Sequence, residues 1–168
     1  MNLFFLRHGI AADKENYSKD ADRPLTEEGA KETRKAARGI DALDLELDLI
    51  LSSPFQRTRQ TAEITAETLK LENKLKFHEA LQTDGDPIKI VRDINRSSVR
   101  LRNVMLVGHE PYLSTLISLL LTGARQGFIA LKKGGLARLE IETLKFGKCA
   151  ELKWLMTPKQ LAMLAGKT

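Results

Sequence analysis

Two histidines and two arginines, spread over three points of the chain, have side chains suited to phosphoryl transfer; they are Arg7, His8, Arg57 and His109. In-line transfer needs a nucleophile, cations around the equatorial phosphate oxygens and a proton for the leaving group. A neutral imidazole can attack phosphorus without a separate base, so His8 is the candidate nucleophile. We therefore expect a phosphohistidine intermediate on His8, whose other ring nitrogen donates to a backbone carbonyl.

The neighbouring cationic groups are expected to bind the phosphate. Arg7 and Arg57 offer planar guanidinium forks that match pairs of phosphate oxygens. His109, if protonated, adds a further donor to the group being transferred. Gly9 has no side chain and so leaves the backbone beside His8 open to a close ligand.

Each part of this set follows an apolar run that has the length of a buried strand. Runs at 2–6 (NLFFL), 48–52 (DLILS) and 103–107 (NVMLV) lead directly into the polar segments. In open α/β sheets the chemistry is located at the carboxyl ends of the strands. The sequence therefore predicts one site at which three strands end.

The segment after the second run carries signals for the start of a helix. Ser53 is a good N-cap, Pro54 suits the first helical position and Gln56 completes a capping box. This pattern places Arg57 in the first helical turn, with its side chain near the strand ends. The positive N-terminus of that helix would add to phosphate binding, although Pro54 removes one of its N–H donors.

Short apolar runs alternate with longer helical segments along the chain. This alternation predicts an α/β fold, a three-layer sandwich with a largely parallel central sheet and helices on both faces. At 168 residues and 42% hydrophobic content, a single domain over 1–168 is expected. The expected strands lie near 2–7, 48–52, 75–78 and 103–108, and the expected helices near 27–39, 54–71, 87–97, 111–122 and 158–165. A Lys-Lys-Gly-Gly turn at 132–135 is flanked by 128–131 and 136–143, and together with 150–156 this region is expected to add antiparallel strands.

Three spaced motifs resemble those of the histidine phosphatase superfamily, which includes the phosphoglycerate mutases. They are R-H-G at 7–9, S-P-x-x-R-x-x-Q-T at 53–61 and G-H-E-P at 108–111. The segment 20–29 and the ending 154–164 look like those of the SixA-type phosphohistidine phosphatases. The resemblance implies a phosphoglycerate mutase-like fold for the whole chain. It also implies a phosphate pocket at the four residues already singled out.

The chain departs from the mutase pattern at the general acid. Mutases carry a glutamate after the third strand, and nothing in 79–87 clearly matches it. Asp86 before Pro87 is interpreted as the N-cap of a helix. Glu110 lies where the acid phosphatase branch has its proton donor, so it is the candidate acid, although it could instead cap the helix that follows.

Arg23 and Arg59 are two further arginines close in sequence to the predicted site. Arg23 could bind substrate or could anchor the polar loop 10–23, which is expected beside the site. Arg59 is two residues from Arg57 on the same predicted helix, so its side chain should point elsewhere and lie at the surface.

Composition excludes several other classes of protein. The net charge of +5 arises from lysines and arginines scattered among 22 acidic residues, and aromatic residues are few, so nucleic-acid binding is not expected. No apolar run has membrane-spanning length. A lone Cys149, expected in a core strand, has no disulfide partner within the chain and fits a cytoplasmic protein. No histidine has metal-ligand spacing, so neither a metal nor another cofactor is expected, and His78 is interpreted as structural.

Two classes of function remain open. The first is a phosphatase that acts on a phosphohistidine-bearing protein, such as a phosphotransfer domain. The alternative among enzymes is a phosphatase or mutase that acts on a small phosphate ester. The second is a non-catalytic module that senses phosphate. The intact set of nucleophile and cations favours the enzyme, because a sensor has no need of a nucleophile.

Overall fold

A computed structural model describes residues 1–126 and 129–166. The strands are β1 (Asn2–Arg7), β2 (Leu49–Ser52), β3 (Leu75–Phe77), β4 (Asn103–Gly108), β5 (Leu136–Ile141) and β6 (Ala150–Met156). The helices are α1 (Glu27–Asp41), α2 (Gln56–Thr68), α3 (Pro87–Asn95), α4 (Tyr112–Thr122) and α5 (Pro158–Leu164). Short 3-10 turns lie between β1 and α1 and on both sides of β3.

The strands of the described residues form one six-stranded sheet in the order β3-β2-β4-β1-β5-β6. The first four strands in this order run parallel to one another. β5 and β6 are antiparallel to their neighbours and form one edge of the sheet. The prediction of an α/β fold with a largely parallel sheet is therefore confirmed, as are the antiparallel strands near the C-terminus.

Helices cover both faces of the sheet, and the side chains of β1 alternate between them. Leu3 and Phe5 pack with α3 and α4 on one face. Phe4 and Leu6 pack with α1, α2 and α5 on the other. Such continuous burial is what a parallel strand covered on both faces requires. A shift of one residue would exchange the two faces, so this packing fixes where β1 ends and the polar residues begin.

The start of α2 differs from the prediction. The helix begins at Gln56 and its N-cap, Phe55, makes no side-chain capping bond, so the predicted capping box at Ser53 is wrong. The Ser53 hydroxyl instead lies 2.9 Å from Nε2 of His109. Arg57 is still in the first turn, as predicted, because the helix starts only one residue before it.

Other boundaries move by a few residues. Asp48 precedes β2, where its carboxylate accepts from the backbone N–H groups of Arg102 and Asn103. Cys149 precedes β6 and is half-buried. No strand forms at 129–131, and residue 128 lies outside the described residues. Across 1–126 and 129–166, none of the helices is both long and apolar enough to cross a membrane.

Candidate active site

Strand register places the two site histidines at the same level of the sheet. β1 and β4 are neighbours, and Arg7 at the end of one pairs with Gly108 at the end of the other. The next residues, His8 and His109, therefore leave the sheet side by side, and their ring centroids are 5.3 Å apart. β2 lies on the other side of β4 and brings Ser53 to the same edge.

The imidazole of His8 is buried and one of its nitrogens is held by the backbone. Nδ1 lies 2.7 Å from the carbonyl oxygen of Gly9. A carbonyl oxygen can only accept, so Nδ1 carries the proton and Nε2 carries the lone pair. This is the tautomer that attack on phosphorus through Nε2 requires.

The surroundings of His8 also keep its ring neutral. Burial is the main cause that lowers the pKa of His8 to about 4. The hydrogen bond to Gly9 opposes this shift, while the positive charges of Arg57, Arg7 and Lys133 add to it. At neutral pH the imidazole is therefore neutral, with its one proton on Nδ1 and a lone pair on Nε2, the state a nucleophile needs.

His109 is held between a hydroxyl and an aromatic ring. Its Nε2 lies 2.9 Å from Ser53 Oγ, and its ring meets that of Phe55 edge-on at 5.1 Å between centroids. Burial, followed by the charge of Arg57, lowers the pKa of His109 to about 3. His109 was expected to donate to the phosphate if protonated. With this lowered pKa its ring is neutral at pH 7 and has one N–H to donate. Its Nδ1 is buried without a hydrogen-bond partner among the described residues.

Arg57 makes a bidentate contact with Asp20, a residue that the sequence argument did not single out. Nη2 of Arg57 lies 2.8 Å from Asp20 Oδ2, and Nη1 donates to the Asp20 carbonyl at 2.6 Å. The side chain of Arg57 is 5% exposed. Burial raises the pKa of Asp20, but hydrogen bonds from Arg23 and Arg57 outweigh it and hold that pKa below its ordinary value.

Arg23 anchors the loop in this structure. Its Nε donates to the Ala12 carbonyl at 2.9 Å, and its Nη1 lies 2.7 Å from Asp20 Oδ1. The loop 10–23 does lie beside the site, as predicted, because it supplies Asp20 to Arg57. Of the two roles considered for Arg23, these contacts match the anchoring one.

The guanidinium of Arg7 makes one hydrogen bond to the backbone and keeps another nitrogen without a partner among the described residues. Nη1 donates to the carbonyl of Leu131 at 2.7 Å. Nε is buried and has no hydrogen-bond partner in the part of the chain that the structure describes. A buried donor without a partner costs free energy, so it marks a place where an anion would be stabilised. Burial lowers the pKa of Arg7, and the charge of Glu110 acts in the opposite direction.

Gly9 has a packing reason to be glycine. A Cβ there would come within 2.5 Å of Thr33 Oγ1, so a larger residue would have to displace the Thr33 side chain. Its N–H donates to Thr61 Oγ1 at 3.1 Å and is not offered to a ligand in this structure. Thr61 and Gln60 end the motif 53–61, and Gln60 accepts from the N–H of Leu25 at 2.7 Å. The motif therefore fixes both the backbone after His8 and the loop facing it.

Glu110 contacts the start of α4 but is not its cap, because the N-cap is Pro111 and no side-chain capping bond forms there. Its Oε2 accepts from Ser114 Oγ in the first turn of α4 at 2.5 Å, a contact that ties the carboxylate to the helix start. Its Oε1 is buried without a hydrogen-bond partner among residues 1–126 and 129–166. Because its charge acts on Arg7, this carboxylate lies within the electrostatic reach of the site.

Two of the three acidic residues at 79–86 have partners away from the site, and the third, Asp84, is exposed. Asp86 caps α3 by accepting from the N–H of Ile88 at 2.9 Å, which confirms its predicted role. Glu79 accepts from the side chain of Gln82. His78 accepts at Nδ1 from the N–H of Ala80, a structural contact.

Two more predictions can be compared with the structure. The guanidinium of Arg59 packs over Phe77 at 4.0 Å and its side chain is 41% exposed, so it lies at the surface as expected. Within the described part of the chain, no three His, Cys, Asp or Glu side chains are grouped as a metal site.

Comparisons with known proteins agree with the geometry. Residues 3–82 match the family model of the histidine phosphatase superfamily, branch 1. The chain is 26% identical over 164 residues to the phosphohistidine phosphatase SixA of Escherichia coli, covering 97% of this chain and 98% of the relative. It is 36% identical over 140 residues to an uncharacterised protein of Picosynechococcus, covering 83% of this chain and 84% of the relative.

A solved structure shows the same architecture. The protein histidine phosphatase SixA complexed with tungstate superposes with a TM-score of 0.83 at 26% identity, covering 96% of this chain and 99% of that one. The family-model match includes β1 and β2 and ends before β4, whereas the likeness to SixA in sequence and in fold spans nearly the whole chain. The chain belongs to the histidine phosphatase superfamily.

Proposed function

We propose that this chain, acting as one domain over 1–168, is a phosphatase that hydrolyses phosphohistidine on a protein through a phosphoryl intermediate on His8. The observation that carries the proposal is the 2.7 Å contact between His8 Nδ1 and the Gly9 carbonyl. It leaves Nε2 with a free lone pair in a buried ring that stays neutral at pH 7.

The reaction has two displacements at phosphorus. In the first, a bond forms between His8 Nε2 and phosphorus as the bond from phosphorus to the substrate nitrogen breaks. In the second, water attacks the phosphoryl group, which releases inorganic phosphate and restores His8. Arg7 and Arg57 bind the equatorial oxygens, and His109 donates its N–H to the transferring group.

The leaving group supports phosphohistidine as the substrate class. A departing imidazole can carry a proton on its second nitrogen, whereas an alkoxide leaves poorly without a positioned acid. The acidic side chains at 79–86 give no clear acid, because Asp86 caps α3, Glu79 pairs with Gln82 and Asp84 is exposed. The likeness to SixA, named a phosphohistidine phosphatase, points the same way.

Hydrolysis of a small phosphate ester is the second candidate. It is favoured by Glu110, whose buried Oε1 has no partner within the described residues and whose charge acts on Arg7. If Glu110 protonated a leaving oxygen, esters would become good substrates.

A substrate panel tests the proposal. We expect a higher kcat/KM for a phosphohistidine peptide than for p-nitrophenyl phosphate or phosphoglycerate. A preference for phosphoglycerate would support the ester phosphatase or mutase instead. Tight binding of inorganic phosphate without turnover of any of the three would support the sensing module.

A further inference from the structure

A groove of about 720 Å³ adjoins the site and shares Arg7 with it. Its other lining residues come from three segments: Ile10, Lys132, Lys133, Thr157, Pro158 and Lys159. Four of the seven lining residues are cationic and none is acidic. Ile10 is 39% exposed and, with Pro158, gives the groove an apolar floor.

The Lys132–Lys133 side of this groove is bound tightly to the residues of the site. The turn that carries both lysines continues into Gly134, whose N–H donates to the carbonyls of Arg7 at 3.1 Å and His8 at 3.0 Å. Gly134 has a φ of +74°, which a glycine adopts without strain. The backbone of the turn that carries the two lysines is therefore bound to that of the nucleophile, and the charge of Lys133 acts on the pKa of His8.

The opposite side of the groove is equally well supported. Lys159 lies in the first turn of α5, which begins with a capping box between Thr157 and Gln160. The sheet joins the two sides, because Leu136 after the turn pairs with Met156, the residue before Thr157. Both sides are thus rigid elements of the fold.

The charges of the groove lysines are not paired with acidic side chains among the described residues. All three of them, Lys132, Lys133 and Lys159, are exposed. Like charges held close together without counter-charges repel one another, so a negatively charged ligand would be stabilised there.

We propose that this groove is a docking surface for acidic residues that flank the phosphohistidine on the protein substrate. The proposal rests on the proposed function, because the shared Arg7 makes the polypeptide attached to the bound phosphoryl group the occupant. Carboxylates of that polypeptide would contact Lys132, Lys133 and Lys159, and an apolar side chain would cover Ile10 and Pro158. Charged groups at the rim of an interface act mainly on the association rate and on partner choice.

Two phosphohistidine peptides test this surface, one with glutamates around the phosphohistidine and one with glutamines at the same positions. Free phosphoramidate serves as a substrate without flanking residues. At low salt the wild-type protein should hydrolyse the glutamate peptide with about tenfold higher kcat/KM, and the preference should shrink as salt is added. The double variant Lys132→Glu and Lys159→Glu should prefer the glutamine peptide and hydrolyse phosphoramidate as the wild type does.

A matched control has the same change of charge at the other end of the sheet. Lys145 and Lys148 lie in the segment between β5 and β6, where Lys148 lines a hollow with Met1, the residue before β1. The double variant Lys145→Glu and Lys148→Glu should keep the wild-type peptide preference. If it lost the preference equally, net charge and not the groove would be responsible.

Failure of the docking surface can be told apart from failure of the proposed function. Equal kcat/KM for the two peptides, with phosphoramidate still hydrolysed, would overturn the docking surface alone. Absence of hydrolysis of all three substrates would overturn the proposed function, and the docking surface with it. If the groove double variant kept the peptide preference and lost binding to a single-stranded oligonucleotide, the groove would be a nucleic-acid surface.

Discussion

Asp20 lies 2.8 Å from Arg57, and its backbone carbonyl accepts from the other terminal nitrogen of the same guanidinium. A carboxylate therefore occupies donors that a phosphate group would use. The contact also ties the loop 10–23 to the first turn of α2. Phosphate binding at Arg57 requires that Asp20 share this cation or give it up.

The first prediction concerns this competition. Asp20→Asn removes the negative charge, so inorganic phosphate should inhibit the variant about fivefold more strongly, as expected for a charge interaction of about 1 kcal/mol. The measurement is the inhibition constant of phosphate. Asp22→Asn, an exposed neighbour with the same change of charge, should bind phosphate as the wild type does. Weaker binding in Asp20→Asn would show that Asp20 orients Arg57 and does not compete with phosphate.

The second prediction concerns the proposed phosphate ligands. Arg7→Ala, Arg57→Ala and His109→Ala should each lower kcat/KM by about 10²-fold or more, because each loses a donor to the transition state. Arg59→Ala, on the exposed side of α2, is the control and should retain activity. Chelators should have no effect. Full activity of Arg57→Ala, or inhibition by a chelator that added metal reverses, would refute the pocket as described.

The third prediction concerns the pH dependence of stability. Because burial lowers the pKa of His8 to about 4 and of His109 to about 3, the unfolded chain binds more protons below the ordinary value of 6.5. The stability is full above pH 6.5 and is lost as the pH falls toward these lowered values. Lowering the pH from 7.5 to 5.5 should reduce the free energy of unfolding by about 1.4 kcal/mol for each of the two histidines.

Urea unfolding of the wild type and of His8→Asn at the two pH values measures this effect. The difference between the two pH values should be smaller in the variant by about the contribution of one histidine. The same pH dependence in both proteins would mean that the ring of His8 titrates normally.

The fourth prediction concerns Glu110. Glu110→Gln keeps an acceptor for Ser114 but cannot donate an acidic proton. If Glu110 protonates ester leaving groups, the variant should lose more kcat/KM for phosphoglycerate than for a phosphohistidine peptide. Equal losses for both substrates would contradict the argument from the leaving group.

The strand ends could be predicted because the signals there are local. Apolar runs of strand length are each followed by Arg, His or Ser, and the parallel pairing of β1 with β4 brings His8 and His109 together. A strand buried on both faces must be apolar throughout, so the first polar residues after the apolar run mark its end. The turn at 132–135 does precede β5, but no strand forms at 129–131, and β5 pairs instead with β1 and β6.

Contacts between distant segments could not be predicted. Ser53 looks like an N-cap in isolation, and only the neighbouring strand β4 brings His109 within 2.9 Å of its hydroxyl. Asp20 is 37 residues from Arg57, and its loop has no regular pattern that fixes where its carboxylate points. The neutral state of His109 likewise depends on its burial, which the residues next to it in the sequence do not predict.

Detection of a phosphoryl group on His8 is the most direct test of the proposed nucleophile. Rapid quench of the wild-type protein with a labelled phosphohistidine peptide should trap a protein-bound phosphoryl group that is labile in acid and stable in base. The label should be absent from His8→Ala and present in Arg59→Ala. Retention of the label in His8→Ala would show that His8 is not the nucleophile.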